Sequence, residues 1–143
     1  MSTEEKIEYI SEILREKSIS PSLQRIQIYK YLMDNQVHPN VDMIYKALVK
    51  TIPTLSKTTV YNTLKLFQSK GLVSVITIEE NEARFDINTH LHGHFKCISC
   101  GKIFDFDIKE ISIDSNLEGE NKIIDQQLYI RGYCKECLKK MEE

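Results

Sequence analysis

Apolar side chains recur at three- to four-residue spacing in four stretches between Glu4 and Lys70, after which the period shortens to two. Over residues 4–17, Ile7, Ile10, Ser11 and Leu14 share one face, with Thr3 as a candidate N-cap, which predicts an amphipathic helix. Ser20 followed by Pro21 predicts the start of a second helix, by a serine cap and proline at the first helical position. Its apolar stripe reads Leu23, Ile26, Tyr29 beside Lys30, and Leu32 beside Met33, ending near Asn35. Asn40 caps a short third helix through Ile44, Leu48 and Val49, closed ahead of Pro53 because the residue before a proline is pushed out of the α region. Ser56 caps a fourth over residues 57–70, turning Val60, Leu64 and Phe67 inward, and Gly71 supplies its stop.

The β-branched run at 72–78, the polar turn Glu79-Glu80-Asn81 and the run at 83–87 predict a hairpin. Helices followed by a hairpin make residues 1–86 a winged helix-turn-helix domain, whose helix after the short turn is the one placed in a DNA major groove. On residues 57–70 the outward polar and basic side chains are Lys57, Thr58, Thr59, Tyr61, Asn62 and Lys65, the candidate DNA contacts. The plainer reading is that Tyr61 packs and the threonines cap. Residues 87–143 read as a smaller α/β domain: strands at 95–98, 102–106 and 122–133, a helix at about 108–117 and a short one after Cys134. The class is α+β. So thin a core suits stapling by a metal, and spare sheet edges suit pairing with a second copy of the chain.

At 143 residues and 41% hydrophobic, the chain is long enough for one ordinary domain or two small ones. No window approaches eighteen apolar residues, and the start Met1-Ser2-Thr3-Glu4-Glu5-Lys6 lacks the basic and apolar regions of a signal peptide, so a soluble, cytoplasmic protein is expected. The net charge of −2 argues against a nucleic-acid partner, but its distribution does not. Between Arg15 and Ile78 nine basic side chains face three acidic ones, a plausible phosphate-facing surface.

In a reducing compartment the pairs Cys97/Cys100 and Cys134/Cys137 read as one four-thiolate zinc site, because each C-x-x-C aims two sulfurs at a cation about 2.3 Å away. His92 and His94 lie two apart, so a strand turns both imidazoles to one face. His90 shares that parity but lies between the two halves. Asp86, at the end of the hairpin, and Asp105, on the strand after the cysteine knuckle, could reach the histidine pair. A mixed imidazole and carboxylate shell suits Fe²⁺ or Mn²⁺ and also accepts Zn²⁺.

These residues carry a resemblance. Residues 20–143 resemble the ferric uptake regulator family of metal-dependent repressors through His38-Pro39 ahead of Asp42-x-x-Tyr45, Ser56-x-x-Thr59-Val60-Tyr61-Asn62-x-Leu64, Arg84-Phe85-Asp86, His92-x-His94 and Cys97-x-x-Cys100-Gly101-Lys102. Within the family the chain looks most like the peroxide-responsive repressors, whose regulatory ion is held by three histidines and two aspartates. His38, Asp86, His92, His94 and Asp105 match those positions. At position 105 iron-uptake members are similar to one another in having Glu, and this chain has Asp. Many relatives use a further histidine just ahead of the second cysteine pair, where this chain reads Asp125-Gln126-Gln127-Leu128, so the resemblance implies two metals per chain, with His90 as a remnant of the third site.

The resemblance implies a homodimeric repressor on palindromic operator DNA, with structural Zn²⁺ and regulatory Fe²⁺ or Mn²⁺. Hydrogen peroxide would be sensed by oxidation of a ligand histidine, His38 or His92. Its nearest rival is an iron- or zinc-uptake regulator of the same family. From other classes, a zinc-ribbon interaction module would have no DNA role. An enzyme is not expected, since the cysteine pairs lack the strand-to-helix setting of a thioredoxin motif and no Glu or Ser adjoins the histidine pair.

Overall fold

The computed structural model describes residues 1–79, 82–87, 92–121 and 126–142. The chain divides into two compact units, Met1–Thr89 and His90–Glu143. His90, Asp125 and the turn positions Glu80 and Asn81 lie outside the described residues.

The first unit carries α1 (Thr3–Glu16), α2 (Leu23–Asp34), α3 (Val41–Leu48), α4 (Lys57–Ser69) and the strands β1 (Ser74–Glu79) and β2 (Glu82–Asp86). Each helix opens on a side-chain cap. Ser2, Ser22, Asn40 and Ser56 accept from the backbone N–H three residues on, at 3.2, 3.3, 2.8 and 3.0 Å. Two of these differ from expectation. Ser2 rather than Thr3 caps α1, and Ser22 rather than Ser20 caps α2, which begins at Leu23; the Ser20 carbonyl receives the Arg25 guanidinium at 2.9 Å. Leu23, expected in the apolar stripe, is exposed at the first position of α2. Gly71, at φ 76°, ends α4, with the Leu72 N–H returning to the Phe67 carbonyl at 2.9 Å.

Ile10, Leu14, Ile28, Leu32, Ile44, Val60, Leu64 and Phe67 form one buried core, the Tyr29 ring meeting Phe67 edge-on at 5.9 Å. Burying such a side chain contributes about 1.5–3 kcal/mol, which binds α4 firmly to the other helices. Leu72 and Val73 join that core instead of the sheet, so β1 begins two residues later than the β-branched run suggests. β1 and β2 pair antiparallel, Ser74 opposite Asp86 and Ile76 opposite Arg84, with an irregularity before Glu79 opposite Glu82.

The second unit holds β3 (His92–Cys97), β4 (Ile103–Asp107), α5 (Ser115–Glu120), β5 (Leu128–Gly132) and α6 (Lys135–Glu142). Its sheet has the order β4-β3-β5, antiparallel on one side and parallel on the other. The helix expected over 108–117 is a correction: residues 108–114 are not helical, and α5 begins only after Asp114. Ile108, Ile111 and Ile113 are β-branched and lose rotamer freedom in a helix, while Asp114 is a helix-starting residue. β3 also starts three residues earlier than its apolar content suggests, since its first half is His92-Gly93-His94. Among the described residues no helix is long and apolar enough to cross a membrane.

Candidate metal centres

The parallel register of β3 and β5 creates the first cluster. Cys97 ends β3 opposite Gly132, so Cys134 arrives beside it and Cys137 follows in the first turn of α6. All four sulfurs lie within 4.8 Å of one another. The Sγ atoms of Cys100 and Cys134 are 3.8 Å apart, the edge of a tetrahedron whose corners each sit about 2.3 Å from one cation. Gly101, at φ 80°, closes the knuckle by donating its N–H to the Cys97 carbonyl at 2.9 Å. The N–H groups of Cys100 and Cys134 point at the Cys97 sulfur, at 3.5 and 3.3 Å. They draw that thiol down to about 6. The adjoining Cys134 thiol pushes Cys137 up to about 12. Four thiolates so close repel one another, and a divalent cation relieves that repulsion; the donor set fits zinc.

Each unit also presents nitrogen and oxygen donors. In the first, the loop between α2 and α3 presents His38 and the end of β2 presents Asp86, both buried, with Nε2 and Oδ2 3.7 Å apart. His38 has a left-handed φ of 56°, a conformation that costs a residue with a Cβ about 1–2 kcal/mol. The Nη1 of Arg84 donates to its carbonyl at 3.0 Å, and the Phe85 N–H donates to the Pro39 carbonyl at 3.0 Å.

In the second unit His92 and His94 point to one face of β3, ring centroids 4.4 Å apart, both buried. Asp105 on β4 lies opposite His94 and sets its carboxylate 3.4 Å from the Nε2 of His94 and 3.8 Å from that of His92. These spacings exceed a hydrogen bond and approach the roughly 3.0–3.4 Å between donors that each lie about 2.1 Å from one ion. Gly93 makes the pair possible, for the Phe106 ring occupies the place its Cβ would take. Neither Gly93 nor Arg84 was assigned a role from sequence, although both sit inside the motifs His92-x-His94 and Arg84-Phe85-Asp86.

On α4, Lys57, Thr58, Tyr61, Asn62 and Lys65 are exposed. Thr59 is half-buried, its hydroxyl 2.9 Å from that of Ser56, so this threonine serves the cap. Lys57 bonds Asp42 at 2.8 Å and lies over the Tyr45 ring, and Lys65 lies over Tyr61.

The chain is 37% identical over 139 residues to the peroxide-responsive repressor PerR of Staphylococcus aureus strain Mu50, covering 95% of this chain and 94% of that one. It is 32% identical to PerR from Streptococcus pyogenes, solved to explain peroxide sensing and gene regulation there, with 92% of each chain covered and a TM-score of 0.53. The Helicobacter pylori ferric uptake regulator Fur shares the fold at a TM-score of 0.69, with 22% identity over 96% of this chain and 95% of that one. The Ferric uptake regulator family matches residues 16–131. The chain therefore belongs to the ferric uptake regulator family and is a metal-responsive transcriptional repressor rather than an enzyme.

Proposed function

We propose that this repressor binds palindromic operator DNA as a homodimer when one Fe²⁺ or Mn²⁺ is held by His38, Asp86, His92, His94 and Asp105, and that hydrogen peroxide ends the repression. A structural Zn²⁺ on Cys97, Cys100, Cys134 and Cys137 staples the second unit. The observation that carries the reading is that each unit offers buried imidazole beside carboxylate: His38 with Asp86 in one, His92 and His94 with Asp105 in the other. A shell of nitrogen and oxygen without thiolate favours Fe²⁺ or Mn²⁺. Ligands drawn from both units tie the reading head to the rest of the chain.

The exposed Lys57, Thr58, Tyr61, Asn62 and Lys65 of α4 face the major groove, with Thr59 at the start of the same helix. Exposed Phe104 and Ile130 on the two edge strands, with Ile98, Tyr133 and Leu138 near the cysteines, supply apolar surface for a second copy. A two-fold dimer must set its reading helices roughly 34–36 Å apart to enter successive grooves.

Fe²⁺, when bound, would supply the one-electron chemistry that cleaves the O–O bond of hydrogen peroxide, which Mn²⁺ does not readily perform. The imidazole of His38 or His92 would take one peroxide oxygen onto a ring carbon, losing two electrons overall: one returns to the iron and the other goes to the peroxide, whose second oxygen leaves as water with the displaced ring proton. The oxidised ring is a poor donor, and the units are released from each other. Fluorescence anisotropy on palindromic duplexes selected from a randomised pool tests this: binding should require Mn²⁺ or Fe²⁺, and peroxide should abolish only the Fe²⁺-dependent binding while adding one oxygen to a peptide carrying His38 or His92. Fe²⁺-dependent binding that survives peroxide would identify an uptake regulator, and metal-independent binding would defeat the reading altogether.

A further inference from the structure

Of the run Arg84-Phe85-Asp86 only the aspartate has a role above, yet β2 grips three consecutive residues of the loop that carries His38. Arg84 donates Nη1 to the His38 carbonyl at 3.0 Å. Phe85 donates its N–H to the Pro39 carbonyl at 3.0 Å. The Asn40 side-chain amide donates to Oε1 of Glu82, while Asn40 Oδ1 caps α3 at the Met43 N–H, 2.8 Å away. The other Glu82 oxygen stands 3.6 Å from Nη2 of Arg84, which orients the guanidinium along the strand. His38 is the residue in this loop with a left-handed φ. A residue with a Cβ keeps that conformation only where its surroundings impose it, and a charge-assisted bond on its own carbonyl does so.

We propose that Arg84 is a positioning residue: it holds the His38 backbone in the left-handed turn that brings the imidazole to Asp86, and through the same contacts couples metal occupancy at His38 to the order of the β1–β2 hairpin. The inference rests on the reading of His38 and Asp86 as metal ligands. Partners that orient a ligand commonly change metal affinity by about 10–100-fold when removed. Because coupling is reciprocal, metal at His38 must also steady the strand that Arg84 belongs to.

The test uses the full-length chain and Mn²⁺, with affinity measured by competition against a fluorescent chelator. Arg84→Met should weaken Mn²⁺ binding by about tenfold, Arg84→Lys should recover part of the loss through its one reachable donor, and Arg84→Met should add nothing in a His38→Ala background. Hydrogen exchange at the Phe85 amide should slow on adding Mn²⁺ to the wild type and not to Arg84→Met. If Arg84→Met does not fold, Arg84→Lys and Glu82→Gln carry the same comparison, each expected to lose several-fold only while His38 is present. An equal loss in both backgrounds, or no loss where His38→Ala does lose affinity, would overturn the positioning role alone. A His38→Ala chain that binds Mn²⁺ like the wild type would remove the ligand assignment and this inference with it.

Discussion

The ring of Phe106 lies across Gly93, its antiparallel partner, where a Cβ would otherwise stand. Gly93 separates His92 from His94, so the one residue between the two imidazoles is kept bare by an aromatic ring on the next strand. Gly93→Ala should force Phe106 away and cost about 1–3 kcal/mol, the usual penalty of overpacking. Thermal melting checks the stability, and Mn²⁺ titration should show weakened binding. Adding Phe106→Ala should restore space, recovering Mn²⁺ affinity more than stability.

Zinc on the four cysteines should be released by acid. Thiols bind metal as thiolates, so protons compete with the ion. Cys137, pushed up to about 12, must lose its proton on loading near neutrality, and Cys97, drawn down to about 6, is protonated only in acid. Loading at pH 7.5 should therefore release protons, measurable by calorimetry in buffers of different ionisation enthalpy. As pH falls, protons compete with the ion for the thiolates, and zinc loss to a colorimetric chelator should accelerate. Cys134→Ser should leave less than one zinc per chain and unfold the second unit.

Lys57 bonds Asp42 at 2.8 Å, so in the proposed DNA complex an incoming phosphate would have to compete with that carboxylate. Asp42 also holds Lys46 at 2.9 Å and its carboxyl is kept below the usual range first by Lys57 and then by Lys46, so it stays ionised and competes for both lysines. Asp42→Asn should tighten DNA binding and steepen its salt dependence. Lys57→Ala should weaken binding to all sequences alike and reduce the salt slope by about 1, whereas Asn62→Ala should relax sequence preference at a cost of about 1–3 kcal/mol. Anisotropy titrations at several salt concentrations separate the three.

Asp34 bridges α1 and α2 by accepting from Lys6 at 2.9 Å and Lys30 at 3.0 Å. Those two ammonium groups, Lys6 first, hold its carboxyl below the ordinary value. A depressed folded-state value adds stability above the unfolded carboxyl pKa of about 3.9, lost as pH falls through the folded one. The group is partly exposed, so Asp34→Asn should cost less than about 1 kcal/mol near pH 6 and nothing once the carboxyl is protonated. Urea unfolding of both chains across that range checks the sign.

The helices of the first unit were legible because their signals are local: a period of three to four, caps at Asn40 and Ser56, and Gly71 with nowhere to go but a left-handed turn. Where two local signals competed, at Ser20 against Ser22, the cap fell to Ser22, which accepts from the Arg25 N–H. A helix was expected at about 108–117, but residues 108–114, with three β-branched isoleucines, are not helical. The cysteine spacing announced a metal, and the shared parity of His92 and His94 announced a chelating face.

Chain order by itself thus determined the helices of the first unit, the hairpin, the cysteine knuckles and the donor types, since each depends on residues a few positions apart. Only tertiary structure decided the parallel docking of β5 on β3 that joins the two cysteine pairs, the Arg84 grip on His38 and the Phe106 ring over Gly93. Those contacts join residues far apart in the chain, and their partners are chosen by sheet register and packing, which no short window of sequence contains.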